Sequence, residues 1–120
     1  MKTSELTGTA LDWAVELAKG TSWSDKGYFV FKNPDGTTRA VSSRPEWCYS
    51  TDWSQGGPII ERYAIGIRRI RTIKTWHWEA GPILSSKLPS YGGTPLIAAM
   101  RCLVASKLGD EVEIPQEILT

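Results

Sequence analysis

Residues 62–78 hold the side chains best suited to bind phosphate. Five bases and no acid occur there, with three aromatic residues interleaved. Arginine beside aromatic rings grips phosphates and stacks on nucleobases, so this segment predicts a contact surface for a nucleotide or a single strand. A solvated sheet face, whose bases balance the four acids of residues 110–120, is the alternative interpretation. The residues concerned are Arg62, Tyr63, Arg68, Arg69, Arg71, Lys74, Trp76 and Trp78.

Two glycine–proline junctions are candidate anion sites. At residues 56–58, and again at residues 92–95, glycines come shortly before a proline that can take the first position of a helix. The unpaired N–H groups of a helix's first turn, together with the positive end of its dipole, suit a phosphate or a carboxylate. Glycine also lets a ligand approach the backbone closely. Ordinary turn formation is the alternative interpretation of each junction.

Residue patterns typical of enzymes and metal sites do not occur in the sequence. His77 is the only histidine, and Cys48 and Cys102 stand alone, so there is no zinc-binding spacing. Asp52 and Glu61 are candidate paired carboxylates, but Asp52 stands where a helix cap is needed. Neither a Walker-type phosphate loop nor a Rossmann fingerprint is present. We therefore predict a protein without catalytic activity, metal or cofactor, in which Cys102 is a small core residue.

Two helices must frame any such site. The first is predicted to begin after Thr7 as its N-cap and to end at Gly20, with Asp12 and Glu16 on the face opposite its apolar residues. The second is predicted after Thr94 as N-cap and runs to residue 108. It is the most apolar element of the chain, and we expect it to be the core helix.

The strands are predicted in two groups. Residues 27–32 and 37–41 flank the turn residues 33–36 and predict a hairpin. Residues 65–73 alternate apolar and basic residues with a slip after Ile67, which predicts a bulge or turn, and a last strand places Trp76 and Trp78 on one face. Between the groups, a helical turn is predicted to stop at Gly56 and Gly57, and Pro58 to start a second short helix. The predicted fold class is α+β, with a small, mostly antiparallel sheet packed against both main helices.

Length, net charge and composition narrow the possible classes of protein further. The chain has 120 residues and a formal net charge of +1, so one domain over residues 1–120 is expected, and no overall field attracts it to nucleic acid or to an anionic membrane. With 22% charged and 41% hydrophobic residues, the composition is typical of a globular domain rather than a disordered chain. Two cysteines form no disulfide framework, and no apolar run is long enough to span a bilayer, so we expect a cytoplasmic protein.

Two long segments resemble the NinX-like proteins of lambdoid phages. They are residues 49–61, YSTDWSQGGPIIE, and residues 94–112, TPLIAAMRCLVASKLGDEV, and the opening MKTSELTG with the later LDW is similar as well. The sequence departs from the family where Tyr49 is followed by Ser50 rather than proline, and where eleven residues separate Pro82 from Thr94. The resemblance implies a phage accessory protein in a bacterial cytoplasm, and it supplies no catalytic residue.

Together these observations predict a non-catalytic protein that binds a small phosphorylated nucleotide, and that sequesters a nucleotide second messenger of bacterial immunity. A homo-oligomer is expected, because so small a chain often forms its pocket at a subunit boundary. The alternatives are a module that docks on a host or phage protein through exposed tryptophans, and a single-strand nucleic-acid binder, against which the low net charge counts. The predicted ligand-binding residues are Trp53, Gly56, Gly57, Arg62, Arg69, Arg71, Trp76, Trp78 and Thr94.

Overall fold

A computed structural model describes residues 1–24, 29–41, 47–71, 73–82 and 89–119. After a 3-10 turn at Thr3–Glu5, helix α1 spans Gly8–Ala18, with Thr7 as its N-cap. Leu6 and Leu11, which flank the start of the helix, are both fully buried. The helix ends in a turn at Gly20, whose φ of +105° favours glycine. The predicted limits of this helix are therefore confirmed.

The polar face of α1 differs from the prediction. Asp12 and Glu16 were expected to face away from the core, yet they are only 5% and 2% exposed. The segment that follows the first sheet covers them: Ser50 N donates to Asp12 Oδ1 at 2.9 Å, and the Tyr49 hydroxyl donates to Glu16 Oε2 at 2.6 Å. The periodicity of the helix does not predict the burial of these two acids, because the segment that covers them lies more than thirty residues away in the sequence.

The first sheet has the strand order β1-β2-β3 and is antiparallel. Strands β2, Phe29–Lys32, and β3, Thr38–Val41, form the predicted hairpin around a turn at Gly36, whose φ is +91°. Strand β1, Ser22–Trp23, was not predicted, and the predicted strand residues 27 and 28 lie outside the described residues. Aromatic rings contact one another here, with centroids 4.8 to 6.5 Å apart: Trp13, Trp23, Phe29, Phe31, Trp47 and Tyr49.

Helix α2 is continuous over Trp53–Arg62, so the prediction of two short helices divided by glycines is wrong. Asp52 caps it, and its side chain accepts from Ser54 N at 2.9 Å. Pro58 lies inside the helix rather than at its first position. An internal proline removes one helical hydrogen bond, and its ring crowds the carbonyl of the residue four positions earlier. Packing of Ile59 and Gly56 into the core retains the helix despite this cost.

The second sheet has the order β4-β5-β6 and is also antiparallel. Strands β4, Ile65–Arg71, and β5, Trp76–Pro82, pair without interruption from Ile65 opposite Pro82 to Arg71 opposite Trp76. The predicted bulge after Ile67 is therefore absent from this paired segment. Ile67 and Ile70 lie on opposite faces, both half-buried. Strand β6, Ser90–Gly92, falls in a segment predicted as loop.

Helix α3, Pro95–Leu108, is the core helix, as predicted. It contacts α1, α2 and all three strands of the second sheet, and its Ala98, Ala99, Met100 and Val104 are fully buried. Cys102 is 3% exposed, and burial raises the pKa of its thiol, consistent with a core role. A short helix α4, Gln116–Leu119, follows.

The α+β prediction is confirmed, with the sheet divided into two three-stranded halves. The chain end is fixed on its start: Met1 and Val112 exchange backbone hydrogen bonds, and the Thr3 hydroxyl donates to Gly109 O at 2.7 Å. Within the described part of the chain, no helix has the length and apolar character needed to cross a membrane.

Candidate functional site

Four of the predicted site residues share one face of the β4–β5 pair, which we call the arginine–tryptophan face: Arg69, Arg71, Trp76 and Trp78. The register sets Arg69 opposite Trp78 and Arg71 opposite Trp76, and residues directly opposite in an antiparallel pair point to the same side. The Arg69 guanidinium carbon lies 4.6 Å from the Trp76 ring centroid and 6.0 Å from that of Trp78. Arg71 lies 5.7 Å from the Trp76 ring. Each arginine is therefore held against an indole.

In the segments that the structure describes, the two arginines of this face have no acidic partner. Arg68, the neighbouring base, points to the other side of the sheet and pairs with Glu79 at 3.0 Å. Among the described residues, no carboxylate lies within ion-pair distance of Arg69 or Arg71, and both side chains are exposed. Trp76 is 50% exposed, whereas Trp78 is partly buried against the core. The face thus offers free guanidinium donors beside indole surface that solvent can reach.

At the other end of the β4–β5 pair, residues on this same side of the sheet pack against the core. Ile65 and Ala80, which share this side by alternation, are buried at 7% and 0% exposure. Gly92 lies opposite Trp78 and packs so closely on α3 that an added Cβ would be 2.7 Å from Ala98 N. The arginine–tryptophan face is therefore the continuation of the core-facing side beyond α3.

Thr94 lies at the edge of this face but offers less than predicted. It follows Gly92, the strand partner of Trp78, by two residues, so the start of α3 is close to the arginine–tryptophan face. Its hydroxyl accepts from Ile97 N at 3.1 Å, and its carbonyl accepts from Ala98 N at 3.1 Å. Pro95 has no N–H, so the first turn of the helix keeps few donors for a ligand.

Three predicted site residues of α2, Gly56, Gly57 and Arg62, do not form an anion site on this face. Gly56 and Gly57 lie inside α2, where their N–H groups belong to a helix rather than to a junction. An added Cβ at Gly56 would overlap the Tyr49 carbonyl and lie 2.6 Å from Leu96 Cδ2, so this glycine serves close packing. Arg62 lies 5.5 Å from the Tyr63 ring at the end of α2. Arg62 belongs to α2 and not to the β4–β5 pair that positions Arg69 and Arg71.

Trp53 stands at the first turn of α2 and is 55% exposed. Its ring contacts no other aromatic ring in the described segments. It is a separate exposed surface residue, and the structure does not join it to the arginine–tryptophan face.

Sequence reasoning missed a cleft of 590 Å³ at the outer edge of β6. Its walls are the N-terminal segment Lys2–Ser4, the β6 residues and the acids Asp110 and Glu111, and Arg101 of α3 lines it. His77 also lines it, because alternation in β5 turns this side chain away from the two tryptophans beside it. No sequence pattern joins residues 2, 77, 101 and 111, so only the fold reveals this site.

Among the described side chains, no group of three or more histidine, cysteine, aspartate or glutamate residues is arranged to hold a metal ion.

The comparisons with known proteins identify the family. A family model described as bacteriophage P22 NinX matches residues 2–107. The match therefore includes α1, α2, both sheets and nearly all of α3. A search among curated proteins found no significant match.

Proposed function

The chain belongs to the NinX family of phage proteins, and on that premise we propose that it binds a small phosphorylated nucleotide without catalysis. The observation that supports the proposal most directly is the arginine–tryptophan face. Two exposed guanidinium groups, which have no acidic partner among the described residues, stand beside an indole that is 50% exposed. Guanidinium forks match phosphate oxygens, and indole surface stacks on nucleobases, so one face offers both kinds of contact that a nucleotide needs.

Binding without chemistry follows from the groups on this face. An arginine stays protonated at neutral pH and only donates hydrogen bonds, and an indole N–H is likewise only a donor. Neither group can accept the proton of an attacking water or act as a nucleophile. The face is suited to hold a phosphate and a base, and it leaves the phosphoester bond unchanged.

In an infected bacterium, a binder of this kind would act by stoichiometry. We propose that it sequesters a nucleotide second messenger produced by bacterial immune signalling, in the host cytoplasm, and that it assembles as a homo-oligomer. A second copy would give the open arginine–tryptophan face a second wall, since one protomer covers a ligand from one side only.

Ligand binding can be tested with the purified protein. It is incubated with a panel of cyclic dinucleotides and cyclic ADP-ribose isomers, its melting temperature is measured, and bound material is released by denaturation and weighed by mass spectrometry. We expect a thermal shift and release of intact ligand. No shift with any member of the panel, or release of hydrolysed ligand, would contradict a non-catalytic nucleotide binder.

Variants locate the binding surface. Arg69→Ala removes the guanidinium that contacts both indoles and should weaken binding by at least about tenfold, because charge-assisted hydrogen bonds are worth about 1.5–3 kcal/mol. Arg39→Ala is the matched control, since Arg39 lies 5.2 Å from the Phe31 ring on the other sheet. Equal binding by the two variants would exclude the arginine–tryptophan face.

A second candidate function is docking on a protein. Ile73, in the connection between β4 and β5, is fully exposed, and Trp76 begins the next strand. Exposed apolar side chains grouped at one place are typical of interaction surfaces. Recovery of one stoichiometric protein partner from infected cells, lost in Ile73→Ser and accompanied by no nucleotide-induced shift, would favour docking over nucleotide binding.

A further inference from the structure

The cleft at the outer edge of β6 contains a cation that the proposed function does not use. Arg101 is half-buried, and its Nε and Nη1 donate to the carbonyl oxygens of Leu6 and Tyr91 at 2.9 and 2.8 Å. These two bonds fix the plane of the guanidinium and use two of its five N–H groups. In the described part of the chain, no carboxylate lies within ion-pair distance of it. A fixed, half-buried cation without a counter-charge is prepared to bind an anion.

We propose that this cleft is a second ligand site, in which Arg101 binds the phosphate of a small molecule that also carries hydroxyl groups. The volume of 590 Å³ lies within the range of small-molecule pockets, roughly 300–1,000 Å³. Lys2, which is paired with Glu111 in an isolated antiparallel bridge, also lines the cleft.

The acids at the rim of the cleft are the reason for proposing a ligand that carries hydroxyl groups. Asp110 and Glu111 line the cleft and are exposed, and carboxylates accept hydrogen bonds from hydroxyl groups. A second phosphate beside these acids would be repelled. The site therefore favours a sugar phosphate or a mononucleotide over a molecule with anionic groups at both ends. None of the four residues of the arginine–tryptophan face is among the described residues that line this cleft, so variants can test the two sites separately.

The chain provides a specific reporter for this cleft. His77 lines the cleft and is the only histidine of the sequence. The imidazole signals in a proton NMR spectrum therefore come from this one residue. We would titrate the protein with ribose 5-phosphate and follow the His77 ring protons, with ribose as the uncharged probe. A saturable shift with ribose 5-phosphate is expected. An unmoved His77 signal, or an equal shift with ribose, would overturn the proposal.

Gly93 supplies a variant that does not disturb the fold. It lines the cleft, and an added Cβ would meet no atom within 4 Å. Gly93→Asp places a negative charge in the cleft and should weaken ribose 5-phosphate by at least about tenfold, whereas the matched Gly93→Ala should bind as the parent does. Equal affinity of these two variants would overturn the proposal.

Arg101 itself is tested by the conservative change Arg101→Lys. Lysine keeps the charge but loses the planar fork, so we expect about tenfold weaker binding of ribose 5-phosphate. The circular dichroism of this variant must match the parent, because Arg101 also joins two backbone segments. If Arg101→Lys is misfolded, the two Gly93 variants decide.

Trp76→Ala should leave the His77 shift unchanged, and loss of the shift in that variant would assign the phosphate to the arginine–tryptophan face instead.

Discussion

At the scale of single residues, the most unusual feature is the pair of acids buried under residues 49 and 50. Glu16 accepts hydrogen bonds from Tyr49, Lys19 and Thr21, so its buried oxygens are satisfied. Asp12 has the backbone N–H of Ser50, and burial raises the pKa of its carboxyl above the ordinary value. Buried polar groups with distant partners fix one arrangement of chain segments, here the passage of residues 49–50 over α1.

The raised pKa of Asp12 predicts how stability depends on pH. The folded state holds the proton of this carboxyl more tightly than the unfolded state, so the contribution to stability is complete below the ordinary value of 3.8 and is lost as pH rises through the folded pKa. Asp12→Asn keeps an oxygen for Ser50 N–H and removes the charge. We expect this variant to be more stable than the parent at pH 7 in urea unfolding, with the difference vanishing below pH 3.8.

Asp35→Asn is the control, because it should have the opposite sign. Hydrogen bonds from Thr37 lower the pKa of the exposed Asp35 carboxyl, so its stabilising contribution is present above 3.8 and is lost as pH falls through the folded pKa. This variant should lose stability at pH 7. If both variants change stability in the same direction at pH 7, burial does not govern the Asp12 carboxyl.

At the scale of elements, helix α2 shows what local signals can and cannot predict. The cap at Asp52 was identified from the sequence, since it depends on residues two positions apart. The continuity of the helix through Gly56, Gly57 and Pro58 was not, because it depends on contact with Tyr49 and Leu96. A glycine that closes a turn and a glycine that allows close packing are identical in sequence, and only the neighbour in space distinguishes them.

The two adjacent glycines of α2 give a matched pair of variants. In Gly56→Ala the new methyl group would overlap the Tyr49 carbonyl and lie 2.6 Å from Leu96 Cδ2, so a loss of about 1–3 kcal/mol is expected. In Gly57→Ala the methyl group meets nothing within 4 Å apart from its chain neighbours, but the following Pro58 disfavours helical geometry at a preceding residue that has a Cβ. This cost offsets the better helix propensity of alanine, so a net change of less than about 1 kcal/mol is expected. Urea unfolding measures both. Similar effects of the two changes would contradict the continuous helix, because glycines at a flexible junction would not differ in this way.

At the scale of the whole molecule, the tryptophans and the charges are divided between separate surfaces. Trp13, Trp23 and Trp47 belong to the aromatic contacts of the first sheet, Trp76 and Trp78 to the arginine–tryptophan face, and Trp53 stands by itself. The sequence placed Arg69, Arg71, Trp76 and Trp78 in one candidate site because they occur in one short segment, and alternation predicted that both indoles share a face. That the two arginines lie on the same face as the indoles follows from the strand register. It did not predict the cleft at β6, since Lys2, His77, Arg101 and Glu111 meet only through the fold. The prediction of one domain over residues 1–120 stays a prediction.

The division of charge predicts the salt dependence of nucleotide binding. With a net charge of +1 the molecule has no strong overall field, so salt should act only through the phosphates that Arg69 and Arg71 contact. Each contacted phosphate of a single strand contributes a slope of about −0.7 in a plot of log affinity against log salt. Two contacted phosphates of a strand then give about −1.4, or about 25-fold weaker binding per tenfold rise in salt. A dinucleotide condenses fewer counterions than a strand, so its slope should be no steeper than this.

Measuring affinity at several salt concentrations separates the nucleotide binder from the single-strand binder. A twelve-nucleotide strand should bind with a slope no steeper than about −1.4, because the described arginine–tryptophan face has two free guanidinium groups and its neighbour Arg68 is paired with Glu79. A slope of about −3 or steeper for the longer strand, with tighter binding, would require further cationic contacts along the surface. That result would favour the single-strand binder over a site built for one small nucleotide.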